Sequence, residues 1–375
     1  MNRRMFVGMT AGAAVCTTGK FTTEARAESK PPDVARMLEV TRVPGVAVAG
    51  IKEAGPYQLF AGVGRTGGPP VTARTVFPAA SLSKPVFAWA VYNLVKQGKL
   101  DWNRPLQDYL DLGLEGTARN ITALHVLTHS TGLTNWRFQP NLPLASAFEP
   151  GARWQYSGEG FVLLQRVVEK IVARPIAEFM RTAVLEPLGM TQSTFAWTPE
   201  IQNLAASGHD RQGALLERSL GFYERRNYDT LQKSGLTPAS ATYEQIAAAY
   251  QQAKQALLPV ALSPNMAGSL LTTIGDYAFF LAHVLKAVTQ SDDFKARVEI
   301  NRDIAWAPGW GVDRSFKTPS LFHWGDGPGF KNFCWVQPAK KSALVFFTNG
   351  DSGAALYAWL FRQLMNEDPS AFYWI

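Results

Sequence analysis

Ala79-Ala80-Ser81-Leu82-Ser83-Lys84-Pro85 opens a segment in which Phe87, Val91, Leu94 and Val95 recur at helical spacing and which stops at Gly98. The recurrence predicts a helix with one apolar face. Ser81 and Lys84 stand three apart at its opening, so both side chains fall on one side of it. A serine hydroxyl is a poor nucleophile until a base removes its proton. Lysine can be that base only when its ammonium is made neutral, by desolvation or by nearby positive charge. The helix start adds positive potential near the Ser81 oxygen and its N–H. Pro85 costs little there, because first-turn N–H groups have no helical partner. Ser and Lys are both common at helix starts, so the pair acquires meaning only from what surrounds it.

Two further strings supply that meaning. Trp154-Gln155-Tyr156-Ser157-Gly158 follows Glu149-Pro150-Gly151 and precedes a helix whose apolar stripe is Phe161, Leu164, Val167, Val168 and Ile171. A tyrosine hydroxyl near a lysine can pass a proton to a leaving group. His323-Trp324-Gly325-Asp326-Gly327-Pro328-Gly329-Phe330 lies at a strand end. Glycines there let a backbone come close to a ligand and present N–H groups to a developing oxyanion.

Strand patterns lie at both ends of the chain. Val46 to Ile51 and Tyr57 to Val63, separated by Glu53-Ala54-Gly55-Pro56, read as a hairpin. Toward the other end come Gly309 to Asp313, Leu321 to Gly325, Phe330 to Gln337 and Ser342 to Thr348, with Pro338 to Lys341 as the last turn. A final helix over Ala354 to Met365 places Leu356, Leu360 and Leu364 on one face. Strands at both ends with helices between predict one sheet assembled from the two ends and a helical region inserted. Residues 209–262 carry few signals and read as an excursion.

In these strings the chain resembles the serine β-lactamase and penicillin-binding-protein superfamily, and most of all the class C β-lactamase-related esterases and peptidases. Ser81–Lys84 stands as its S-x-x-K, Tyr156–Gly158 where class C enzymes have Tyr-x-Asn, and His323-Trp324-Gly325 where they have Lys-Thr-Gly. Ile121 to Leu133, Glu186 to Met190 and Gly268 to Thr273 support the likeness, which runs from about residue 36 to 365 in the family's order and spacing. The resemblance implies an α/β, β-lactamase-like fold: an antiparallel sheet built from both chain ends and flanked by helices, plus an inserted, mainly helical domain. The α/β domain would be residues 28–80 and 262–375, the helical domain 81–261, and the active site the cleft between them. It implies Ser81 as nucleophile, Lys84 and Tyr156 as proton-transfer pair, the backbone N–H groups of Ser81 and Asp326 as oxyanion hole, and water releasing the acyl group. His323, Trp324, Gly325 and Gly158 would border the substrate. No metal or organic cofactor is implied, and the partner is a small ester, amide or peptide.

The departures bear on substrate. Gly158 lacks the side chain with which the family asparagine contacts a substrate amide. His323 replaces a permanent cation with a group that is mostly neutral near pH 7, so carboxylate binding through it would strengthen as pH falls through about 6.5. Bulky Trp324 replaces a small hydroxyl residue. These features favour an esterase or D-amino-acid peptidase over a class C-like β-lactamase. A non-catalytic penicillin- or peptide-binding homologue is the rival from another class, and retention of Ser81, Lys84 and Tyr156 speaks against it.

Composition agrees with a globular protein. The 375 residues are 46% hydrophobic and 12% aromatic, enough to build a large core and too many for a disordered chain. No stretch of about 18 apolar residues occurs, so no stable membrane insertion is expected. Arg3-Arg4-Met5-Phe6-Val7, a weakly apolar run from Gly8 to Cys16 and Ala25-Arg26-Ala27 describe an export signal over residues 1–27 that resembles a twin-arginine signal, with a Sec-type signal as the alternative. Periplasmic or secreted localisation follows. Removing that segment lowers the net charge from +7 to +4, with no basic cluster to suggest nucleic acid. Cys334 is then alone in the mature chain, in an apolar run, and reads as a small buried hydrophobe.

Rival motifs are weaker. Gly350-Asp351-Ser352-Gly353 copies the string around a trypsin-like nucleophile, yet it sits between a strand and a helix, where Asp351 or Ser352 makes a natural N-cap. No G-x-S-x-G string occurs. His125 and His129 are four apart and could share a helix face as metal ligands, but the Glu of H-E-x-x-H is missing.

Overall fold

The first and last parts of the chain meet in one eight-stranded sheet. Strands β1 (Gly45–Lys52) and β2 (Gly55–Gly62) form the expected hairpin, closed tightly at Lys52 and Gly55. Short β3 (Val76–Pro78) and β4 (Leu271–Thr273) pair apart from it. The late strands are β5 (Val298–Glu299), β6 (Ile304–Ala307), β7 (Trp310–Asp313), β8 (Ser320–Gly327), β9 (Phe330–Gln337) and β10 (Ser342–Thr348). All pairings are antiparallel, in the order β2-β1-β10-β9-β8-β7-β6-β5. The computed structural model describes residues 33–139, 142–217, 219–220 and 222–375. The expected export signal lies outside them.

Between and around the strands run α1 (Val34–Thr41), α2 (Ser83–Lys96), α3 (Ala123–Leu127), α4 (Glu159–Val172), α5 (Ile176–Met180), α6 (Pro199–Leu204), α7 (Phe222–Gln232), α8 (Tyr243–Gln252), α9 (Ile274–Ala287), α10 (Gly353–Met365) and α11 (Ala371–Trp374). Helices cover both faces of the sheet, which is why its central strands read as continuous apolar runs. In β10, Ala343, Val345 and Phe347 face one core with residues of α2, α4 and α9, while Leu344 and Phe346 face a second core with Leu356, Leu360 and Phe361 of α10. Alternation persists along β9, where Cys334 and Val336 join the first core and Phe333 and Trp335 the second. Cys334 is fully buried with a free thiol.

The first core is continuous from the sheet through α2 and α4, so the helical insertion and the sheet share it. Phe87, Val91 and Leu94 of α2 and Phe161, Leu164, Val167 and Val168 of α4 are buried as their spacing predicts. Residues 209–262 do more than wander: Leu231 and the α8 residues Ile246, Ala249 and Tyr250 form a small core with Val162 of α4, against which Trp136 packs.

The tail is fastened as firmly as the rest. Fully buried Asp313 accepts the Ala371 N–H at 2.8 Å, capping the start of α11, and the Ser315 N–H at 2.9 Å. Removing that carboxylate would leave the buried Ala371 N–H unpaired, at about 1–3 kcal/mol. No helix among the described residues is long and apolar enough to cross a membrane.

Candidate active site

The turn before α2 is pinned on every side. Ala79 donates its N–H to the Leu270 carbonyl at 2.8 Å, and the Asn332 amide of β9 donates to the Pro78 carbonyl at 2.9 Å. The Tyr277 hydroxyl bonds the Leu82 carbonyl at 2.9 Å, and the Ser83 hydroxyl spans the Ala80 carbonyl and the Leu270 N–H at 2.6 and 3.0 Å. Ala80 sits at φ 49°, a left-handed conformation that costs a residue with a Cβ about 1–2 kcal/mol. Those anchors hold the strained residue in place, and it sets the direction of Ser81. Asn332 carried no motif in the sequence, and its role depends on where β9 runs.

Ser81 leads from this single 3₁₀ turn into α2, and Lys84 Nζ lies 3.0 Å from its Oγ. The amine also donates to the Ala267 carbonyl at 2.7 Å. The rings of Tyr156 and Phe161 close over it, 4.8 and 5.3 Å from Nζ to the ring centres. Lys84 is 1% exposed, and desolvation brings its pKa down to about 7. A large fraction of it is therefore neutral near pH 7, and a neutral amine at that distance can take the serine proton.

Tyr156 stands against the same pair. Its ring is packed between His129, at 4.1 Å between centres, and Trp324, at 5.5 Å. Burial pushes its pKa well up, and the nearby Ser81 hydroxyl offsets only part of that. Its hydroxyl is enclosed and makes no hydrogen bond of ordinary geometry with a described residue. Such a group stays a phenol at neutral pH, next to a lysine whose amine is partly neutral.

The glycine string meets the Ser81 turn from the sheet side. At Gly325 a Cβ would overlap the Ala79 carbonyl oxygen, so only glycine lets β8 come so close to the Ser81 turn. β7 pairs with β8 only at Ser320–Phe322, which leaves the β8 edge from His323 to Gly327 without a strand on that side. The Asp326 side chain turns to solvent and pairs with Lys331 at 2.5 Å, so only its backbone is offered to the cleft.

Two expectations about the substrate side change. His323 is fully buried, and its Nδ1 donates to the Trp324 carbonyl at 2.8 Å. Burial first, then the neighbouring Lys84, lowers its pKa to about 3. It is neutral wherever the protein works, so the anticipated pH-dependent grip on a carboxylate near 6.5 is not available from it. Gly158 leaves no empty space either. The Trp136 indole occupies the place a Cβ would take, and the Gly158 N–H is held by the Asn135 side chain at 2.9 Å. Trp136 carried no motif, and only the folded chain brings it there.

The rival motifs resolve into structure. α3 ends at Leu127, so His125 and His129 do not share a helix; His125 completes a capping box with Thr122. Ser352 takes the N-cap position of α10, and Asp351 accepts the Gly329 N–H at 2.9 Å. Among the described residues no group of three or more His, Cys, Asp or Glu could hold a metal ion.

The chain belongs to the Beta-lactamase family, whose model matches residues 33–365. It is similar to the esterase EstB of Burkholderia gladioli, with 32% identity over 179 residues that make up 40% of this chain and 45% of that protein. It is also similar to penicillin-binding protein 4* of Bacillus subtilis (strain 168), at 30% over 145 residues, 33% of this chain and 31% of the other. The chain thus spans less than half the length of these relatives. Among solved structures, the octameric penicillin-binding protein homologue from Pyrococcus abyssi superposes with a TM-score of 0.68 at 19% identity, over 89% of this chain and 76% of that one. That likeness establishes the fold: the β-lactamase and penicillin-binding-protein architecture, with its sheet from both chain ends and a mainly helical insertion. Trp374, beyond the matched residues, packs its ring on Trp154 at 5.1 Å and Trp324 at 5.6 Å, backing both sides of the site.

Proposed function

We propose that this protein is a serine hydrolase that cleaves a carboxylic ester, or a peptide-like amide, through an acyl-enzyme on Ser81. The observation that carries the reading is Lys84 Nζ at 3.0 Å from Ser81 Oγ, in surroundings dry enough to bring the amine to a pKa of about 7. Neutral Lys84 takes the Ser81 proton as Oγ attacks the substrate carbonyl carbon. The carbonyl electron pair moves to its oxygen, toward the backbone N–H groups of Ser81 and Asp326. As the bond to the leaving oxygen or nitrogen breaks, Tyr156 gives that atom its proton and regains one from the Lys84 ammonium. Water then attacks the acyl carbon, the same pair carries its proton to Ser81 Oγ, and the acid departs. The esterase among the relatives supports placing esters first, as do Trp136 over Gly158 and the neutral His323.

A fluorophosphonate probe followed by peptide mass mapping tests the nucleophile, with Ser81 the expected labelled residue. The pH profile of kcat/KM on a p-nitrophenyl ester tests the base. Lys84 acts when neutral, so the rate should rise with pH through about 7 and level above it. A profile flat from pH 5.5 to 8.5 would remove Lys84 as the base. The Arg3-Arg4 pattern and the Ala25-Arg26-Ala27 site support export to the periplasm or beyond. Sequencing the exported protein should find an N-terminus just past Ala27, and a retained Met1 would speak against it.

A further inference from the structure

We propose that His129 is the residue that positions Tyr156 for proton transfer, holding the three consecutive residues Gln155, Tyr156 and Ser157 at once. The proposal rests on Tyr156 being a proton carrier. The His129 carbonyl accepts the Gln155 N–H at 2.6 Å, and its Nδ1 accepts the Ser157 N–H at 3.1 Å. Between these two anchors the imidazole lies nearly flat on the Tyr156 ring, centres 4.1 Å apart and planes at 25°. One side chain therefore fixes the backbone on either side of the tyrosine and the tilt of its ring.

The backbone of His129 makes this possible. Its φ of 52° is left-handed, a conformation in which histidine is one of the few side-chain-bearing residues found with any frequency. It breaks the run from α3, so that carbonyl and ring both serve the same neighbouring strand of chain. The remaining surfaces of the ring are closed by Phe161 at 5.4 Å and Trp306 at 5.3 Å, and the residue is fully buried.

The contact requires a neutral imidazole. An imidazolium has donors on both nitrogens and could not accept from Ser157. Burial, reinforced by the nearby Lys84, holds His129 well below the usual histidine range. Nε2 then carries the proton; it is enclosed and has no hydrogen-bond partner among the described residues. The fold tolerates that unsatisfied group, while the two acceptors of His129 are both used on the tyrosine segment.

The phenol oxygen lies at the far end of a rigid ring, so a small tilt displaces it by a large fraction of an ångström. Misplacements of about 1 Å in a catalytic group can slow a reaction roughly a hundredfold. The test uses two replacements. His129→Asn keeps a side-chain acceptor and tolerates the left-handed backbone but loses the ring. His129→Phe keeps a ring of similar size but loses the acceptor. Each is made in the native protein and in Tyr156→Phe, and kcat, KM and the thermal midpoint are measured for all. In the native protein each should lower kcat on a p-nitrophenyl ester by about tenfold to a hundredfold with KM little changed. In Tyr156→Phe, where no hydroxyl remains to aim, the same replacements should leave kcat almost where it was. A residue that only maintains the fold would lower kcat by the same factor in both backgrounds, in step with the thermal midpoint, and that result would overturn the proposal. So would unaltered kcat in both native-background variants. If His129→Asn does not fold, the His129→Phe comparison decides by the same criteria. Should Tyr156→Phe itself prove as fast as the native protein, the proton-pair reading fails, and this proposal with it; the other outcomes bear on His129 alone.

Discussion

Ser81→Ala should abolish phosphonate labelling and lower ester turnover by roughly four to six orders of magnitude, as loss of the attacking atom does in hydrolases of this kind. No neighbouring hydroxyl can stand in for it. Ser83 is buried, with its oxygen committed to the Ala80 carbonyl and the Leu270 N–H. Ser352 heads α10 in a different part of the molecule's architecture, so Ser352→Ala should keep most of the activity. Lys84→Met should cost about as much as any member of such a unit, with thermal stability kept or raised, because it removes an amine that is buried at a desolvation cost. Adding Tyr156→Phe to Lys84→Met should then cost less than it does alone, since groups that share one proton are not independent. Substantial turnover by Ser81→Ala would end the assignment, and strictly multiplicative losses would separate Tyr156 from the lysine.

Short activated esters should be turned over at least about a hundredfold faster than a chromogenic cephalosporin. An ester of this kind needs the nucleophile, the proton pair and the oxyanion contacts. A cephalosporin also presents an acylamide chain and a carboxylate, each normally met by a charge-assisted or amide hydrogen bond worth about 1.5–3 kcal/mol, or roughly tenfold to a hundredfold. Here the first partner is missing at Gly158, and Trp136 fills its place. The second is missing because His323 is buried and neutral down to about pH 3. For the same reason His323→Lys is not expected to install a carboxylate site: the new amine would lie in a closed, dry position. Trp136→Ala is the more direct lever, and should raise the rate on substrates with bulky acylamide groups relative to small esters. Cephalosporin turnover above ester turnover in the native protein would sink this preference and restore β-lactam hydrolysis as the main activity.

Periodicity and order along the chain were enough for the frame of the molecule. The apolar runs at Phe330–Gln337 and Ser342–Thr348 read as strands, and the stripes after Ser83 and after Gly158 as helices with a core face. β5 stayed invisible because two residues are too few to display a period, and β6 was not read from the sequence. The Ser81–Lys84 spacing likewise placed hydroxyl and amine together, since three residues at a helix start set their separation locally. Local spacing says nothing about the dielectric around an amine or the volume above a glycine. The lysine pKa of about 7, the neutral His323, Trp136 over Gly158 and His129 flat against Tyr156 arise where segments far apart in the chain exclude water and fill one another's space. Desolvation and packing are properties of the assembled interior, so the candidate residues were legible in the sequence, while their protonation, aim and room for substrate were decided only by the tertiary structure.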